Sequence, residues 1–207
     1  YPKEEAEQAT VMLDALKERA MRAIDEDEDL PDDEARNTLK EALSEVVEVA
    51  KATVAQGKID GGALVKLEPG AVTLAAGAHV ADAPRLEKAI QKIVELAKQD
   101  PNFPAVEWNA AKYEGVRFHT ARVPVPEDEE EARKILGDEM EVVLGVGETS
   151  FYVALGHHGI DTIKSVIDQS KAGADRTVAP MELALSLARI MKFAASQADD
   201  PTISQVA

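Results

Sequence analysis

Three of the four histidines in this chain stand where a metal ion would find ligands. His79 ends the run Thr73-Leu74-Ala75-Ala76-Gly77-Ala78-His79. His158 ends Tyr152-Val153-Ala154-Leu155-Gly156-His157-His158, which aligns with it residue for residue, and Asp161 follows three positions later. Imidazoles and a carboxylate are ordinary ligands of zinc and its neighbours, so two such strands lying side by side would let His79, His157, His158 and Asp161 converge on one ion. A plainer reading competes with it. Corners between a strand and a helix commonly carry polar residues that cap the helix or face water, and a duplicated unit copies them. The spacing is looser than that of a zinc site recognisable from sequence, and the corner reading is preferred.

Other runs resemble sites and fail on their own terms. Asp25-Glu26-Asp27-Glu28-Asp29 has the alternating acids of a calcium loop. However, Leu30 replaces the sharp-turn glycine and Arg36 the closing acid, which leaves an acidic, solvated turn. Gly145-Val146-Gly147-Glu148-Thr149-Ser150 has the glycines of a phosphate loop but leads into a strand pattern, whereas a phosphate loop opens a helix. It reads as a hairpin turn. Lys112, Arg117, His119 and Arg122 concentrate positive charge on one hairpin, either for an anionic ligand or as a solvent-facing sheet edge kept polar against aggregation; the edge reading is favoured. Trp108, in register with Val106 and Ala110, reads as core. No Gly-x-Ser-x-Gly, His-Glu-x-x-His or Gly-x-x-x-x-Gly-Lys motif occurs, and no cofactor is implied.

Composition narrows the partners. Asp plus Glu number 39 against 23 Lys plus Arg, a formal charge of -16, which repels a phosphate backbone. The cations alternate with acids, as in Lys17-Glu18-Arg19, so no basic patch is segregated and nucleic acid is set aside. The absence of cysteine removes thiolate chemistry and disulfides. No apolar run approaches the roughly 20 residues of a membrane-spanning helix. The start at Tyr1 and the end at Val206-Ala207 fit a segment of a longer protein whose signal peptide has been removed.

The elements that must position these residues follow from periodicity. Ala6, Ala9, Leu13, Leu16, Ala20 and Ile24 step by three and four. Leu39, Ala42, Leu43, Val46 and Ala50 do the same, so residues 1–57 form an αα-hairpin that packs on or extends the main domain. Residues 58–207 form an α+β domain. Its hairpins are Ala63–Leu67 with Val72–Leu74, Val106–Ala110 with Val116–Thr120, and Met140–Val146 with Phe151–Leu155. Helices begin at Asp82-Pro84, near Glu127, near Ile160 and at Pro180. The expected architecture is a largely antiparallel sheet of about six strands with helices on one face. A strand-Gly-helix pseudo-repeat, over about 62–99 and 140–170, is built into it. The last helix, with Glu182, Ser186 and Arg189 as its narrow polar stripe, is expected to be central and buried on most sides.

Three stretches carry a family likeness: Val72-Thr73-Leu74-Ala75-Ala76-Gly77, Tyr113-Glu114-Gly115-Val116-Arg117-Phe118 and Glu148-Thr149-Ser150-Phe151-Tyr152-Val153-Ala154-Leu155-Gly156. Over roughly residues 60–170 the chain resembles an uncharacterised family of predicted secreted or surface-attached bacterial proteins, a domain of unknown function. The resemblance implies an extracytoplasmic location, periplasmic or at the cell surface, and weighs against catalysis; it carries no site residues. The leading expectation is therefore a non-catalytic module of a larger envelope or surface protein, whose partner is another protein, the envelope or the rest of the parent chain. The second is a ligand- or lipid-carrying module with an apolar cavity between sheet and helices, and the third a metal-dependent hydrolase.

Overall fold

A computed structural model describes residues 3–28, 30–57, 60–68, 71–172 and 186–197. Along these residues run α1 (Lys3–Glu26), α2 (Asp33–Ala55), β1 (Gly61–Glu68), β2 (Ala71–His79), α3 (Ala83–Ala97), β3 (Val106–Tyr113) and β4 (Val116–Pro124). They continue with α4 (Glu130–Leu136), β5 (Glu139–Val146), β6 (Ser150–Gly156), α5 (Gly159–Ala172) and α6 (Leu187–Gln197). The fold is α+β, with an N-terminal helix pair and one six-stranded sheet in the order β1-β2-β6-β5-β4-β3. Every neighbouring pair is antiparallel, and the three expected hairpins are β1–β2, β3–β4 and β5–β6.

Local chemistry sets the element ends. Asp32 and Asp82 cap α2 and α3 by accepting hydrogen bonds from the N–H groups of Ala35 and Arg85, at 2.8 and 3.0 Å. Glu114 and Gly115 both take positive φ, 50° and 82°, as a tight hairpin turn between right-twisted strands requires. Pro69 and Gly70 of the expected first turn lie outside the described residues.

The core occupies one face of the sheet. Ala75, Val116, Phe118, Val143 and Ala154 meet Ile163 and Ile167 of α5 there. Neighbouring strand residues point to opposite faces, so His119 points away from Phe118. It meets Glu87 of α3. Helices therefore cover both faces, and the expectation of one covered face is corrected: α5 takes one face and α3 the other. The N-terminal pair extends the α3 side. α2 is joined to α1 by the Lys40–Asp25 and Lys51–Asp14 pairs, and to α3 by Arg85–Glu45 and by Lys92–Glu41 at 3.0 Å. These pairs are partly or largely exposed and add little stability; the buried Ala35, Ala42, Val47 and Val49 of α2 carry the packing. Thr53 Oγ1 accepts the Ala81 N–H at 2.9 Å and so ties α2 to the turn before α3.

Two further expectations change. The last helix is not central: α6 lies against the edge strand β1, with Leu187 and Met191 exposed at 73% and 62%. α5 already fills the place over the middle of the sheet. Glu182, Leu183 and Leu185 of that expectation lie outside the described residues. The two copies of the pseudo-repeat do pair, with Ala75 opposite Ala154, but their helices leave for opposite faces. Their glycines also differ in role: Gly77 sits in mid-strand beneath the Tyr152 ring, whereas Gly156 ends β6 at φ 105°.

Candidate functional site

Antiparallel pairing decides the histidine constellation. His79 lies opposite Ser150 at the start of β6, and Gly156 at its end lies opposite Thr73. At roughly 3.4 Å per residue the two ends are about 20 Å apart, so His79 does not join His157 and His158. It bonds instead to Gln56 at the end of α2, Nε2 to Oε1 2.8 Å. His157, His158 and Asp161 do come together, at the start of α5. They line a groove of about 560 Å³ with Arg122, Glu139 and Glu141. Among the described residues no group of three His, Asp or Glu is placed to hold a metal ion.

This corner is held by its backbone. Thr73 Oγ1 donates to the His157 carbonyl at 2.6 Å, the His158 carbonyl accepts from the Thr162 N–H at 3.0 Å, and Glu141 Oε2 accepts the Gly159 N–H at 3.0 Å. Glu141 thereby satisfies one of the open donors at the first turn of α5 and places negative charge at the positive end of its dipole. Asp161 is exposed and 3.5 Å from Lys164. The hydrogen bonds at this corner thus run through the backbone of His157 and His158 and the side chains of Thr73 and Glu141.

The four cations of the second hairpin are divided. Arg122 lines the α5-side groove, whereas Arg117 and His119 project to the α3 face. Lys112 is exposed and opposite Arg117. They form no common anion site. The solvent-edge reading also fails for His119, because β4 is an inner strand and the ring is only 1% exposed.

His119 is instead the centre of a polar cluster in which it and Glu87 are buried while Arg117 and Asn109 reach the surface. Its Nδ1 accepts the Asn109 N–H at 3.0 Å, Nε2 lies 2.9 Å from Glu87 Oε1, and Arg117 pairs with Glu87 Oε2. Trp108, half-buried rather than core, sets its ring edge-on to the imidazole at 4.8 Å and 62°. Asn109 has φ 57° where the β3–β4 register shifts between Glu107 and Ala111. That shift replaces the even alternation expected for β3, and it is how an amide comes to face a side chain. Burial, the dominant influence, pushes the His119 pKa below its ordinary 6.5; Glu87 opposes this and Arg117 adds to it. Glu87 and Asn109 match no motif, and the sequence offers one signal for Glu87 alone. Ala83, Glu87, Ile90 and Val94 share one helical face, and a carboxylate amid apolar residues there calls for a buried partner.

Comparison of the chain with protein-family models, with curated proteins and with solved structures finds no match. No helix among the described residues is long and apolar enough to cross a membrane.

Proposed function

We propose that the chain is a non-catalytic, extracytoplasmic module of a larger bacterial envelope or surface protein, acting through protein or envelope contacts. One observation carries the contact reading: Val65 of the edge strand and its cross-strand neighbour Leu74 are 61% and 43% exposed, beside Leu155 in the same row. Isolated exposed apolar residues are ordinary, but an adjacent pair beside a strand edge that is unpaired among the described residues offers both apolar contact and backbone hydrogen bonds. The location rests on the family resemblance.

A photo-crosslinking residue at Val65, in protein expressed in its own host, is expected to give a discrete adduct that fractionates with the envelope. The same residue at exposed Glu107, on the other sheet edge, should give none. Equal labelling at both positions, or no adduct at Val65, removes the contact reading, and recovery of the adduct with the cytoplasm removes the location.

A second reading is favoured by a groove of about 660 Å³ between β1–β2 and α5. Gly62, Ala75 and Gly77 give it a floor almost without side chains, with Tyr152, Val166 and Gln169 around it. A Cβ on Gly62 would meet nothing within 4 Å, so a larger side chain there fills the groove without disturbing the sheet. For a ligand-carrying module, native mass spectrometry of the purified protein should show an organic adduct that Gly62→Leu abolishes. A bare wild-type mass, or an adduct that survives the substitution, eliminates this reading.

A further inference from the structure

The bonds around His119 admit one protonation state. Because Nδ1 accepts a hydrogen bond from a backbone amide, the neutral ring carries its hydrogen on Nε2. Nε2 is buried and near Glu87 Oε1, yet off the line of a well-formed hydrogen bond. The charged groups facing the ring are Glu87 of α3 and Arg117 of its own strand, with exposed Lys112 of β3 beyond Arg117. The other β3 neighbours are Trp108 and Asn109, and the β5 neighbour is Leu144; none of the three is charged.

We propose that His119 is a pH-sensitive latch on the edge strand β3: its protonation exchanges the Asn109 hydrogen bond for a His119–Glu87 ion pair and releases the bulge. An imidazolium has N–H on both nitrogens, so the Asn109 amide then faces another donor and the two must part. On the other side of the ring the change is favourable, because a poorly aligned contact between a neutral ring and the Glu87 carboxylate becomes an ion pair between opposite charges. Asn109 is the weaker end of the exchange. It occupies the left-handed region, in a strand that among the described residues pairs with β4 alone, and at the point where that pairing is broken. Releasing it frees the backbone groups of an edge, where another strand can pair. The effect is local, since the Phe118 core lies on the opposite face.

The test is amide hydrogen exchange of the whole chain, read by NMR and corrected to protection factors, with Trp108 fluorescence recorded in parallel. Trp108 is the only tryptophan, so its emission reports this site alone. On acidification the Asn109 protection factor is expected to fall by about tenfold or more, with the Trp108 signal following the same midpoint below 6.5, while Val143 stays protected. His119→Gln, whose side-chain oxygen still accepts from Asn109, should flatten both titrations. Should that variant not fold, Glu87→Gln serves instead: with the carboxylate gone, the midpoint should move to lower pH. Asn109 protection that persists through the imidazole titration overturns the proposal. So does its loss together with that of Val143, which is global unfolding.

Discussion

Phe118→Ala is expected to lower the free energy of unfolding by about 3–5 kcal/mol. The ring is fully buried on β4, with Val143 of β5 and Ile163 and Ile167 of α5 in the same cluster. Truncation removes apolar area and leaves a cavity that a β-sheet cannot close, because strand spacing is fixed by backbone hydrogen bonds. α5 could move inward, but Gly159 already sets it close: a Cβ there would come within 2.6 Å of Val143 Cγ2. Tyr113 anchors it elsewhere through Asp168, Oη to Oδ1 2.8 Å. Urea unfolding should show a lower midpoint with an unchanged slope. A loss below about 1 kcal/mol would mean that the site collapses freely, and that the α5 face is not the stabilising core. Phe118→Leu keeps most of the volume and should cost less.

The same strand shows what the sequence made legible. Val116 and Phe118 alternate with Arg117 and His119, so that the two sets point to different faces was readable from period alone. Which face a helix covers was not. Periodicity is a property of one element, whereas the covering of a face depends on the direction in which a connection leaves the sheet. For that reason periodicity alone places α3 beside α5 and His119 in solvent. The hairpins were legible for the opposite reason: Glu114-Gly115 and Gly147-Glu148-Thr149 fix their strand partners over a few residues. Pairing between hairpins has no such local signal. The antiparallel meeting of β2 with β6, which carries His79 to the far end of the sheet from His157, was invisible in the duplicated run. Similarity in sequence says that two segments are alike, not how they lie.

Gly156→Ala should prove nearly as damaging as the core truncation, though it adds a single methyl group. Gly156 has φ 105°, a conformation that side chains rarely adopt, and holding alanine there costs about 1–3 kcal/mol before any contact is considered. The new Cβ would also run into the carbonyl oxygen of Val72, a backbone atom of the paired strand β2. That oxygen cannot turn aside without pulling Thr73 with it, and Thr73 is buried and fastened to the His157 carbonyl. Strain and displacement therefore add, and a total loss of about 3 kcal/mol or more is expected. Gly77→Ala is the control. Its Cβ would press on the Tyr152 ring, a side chain that can rotate into the groove beside it, and the backbone there has no positive φ. Overpacking of this kind costs about 1–3 kcal/mol, toward the lower end where a neighbour can yield. Thermal unfolding of the two variants side by side separates the causes. If Gly77→Ala is the more destabilised, the Tyr152 ring is locked rather than yielding, and the strand-to-helix corner at Gly156 is less constrained than its hydrogen bonds imply.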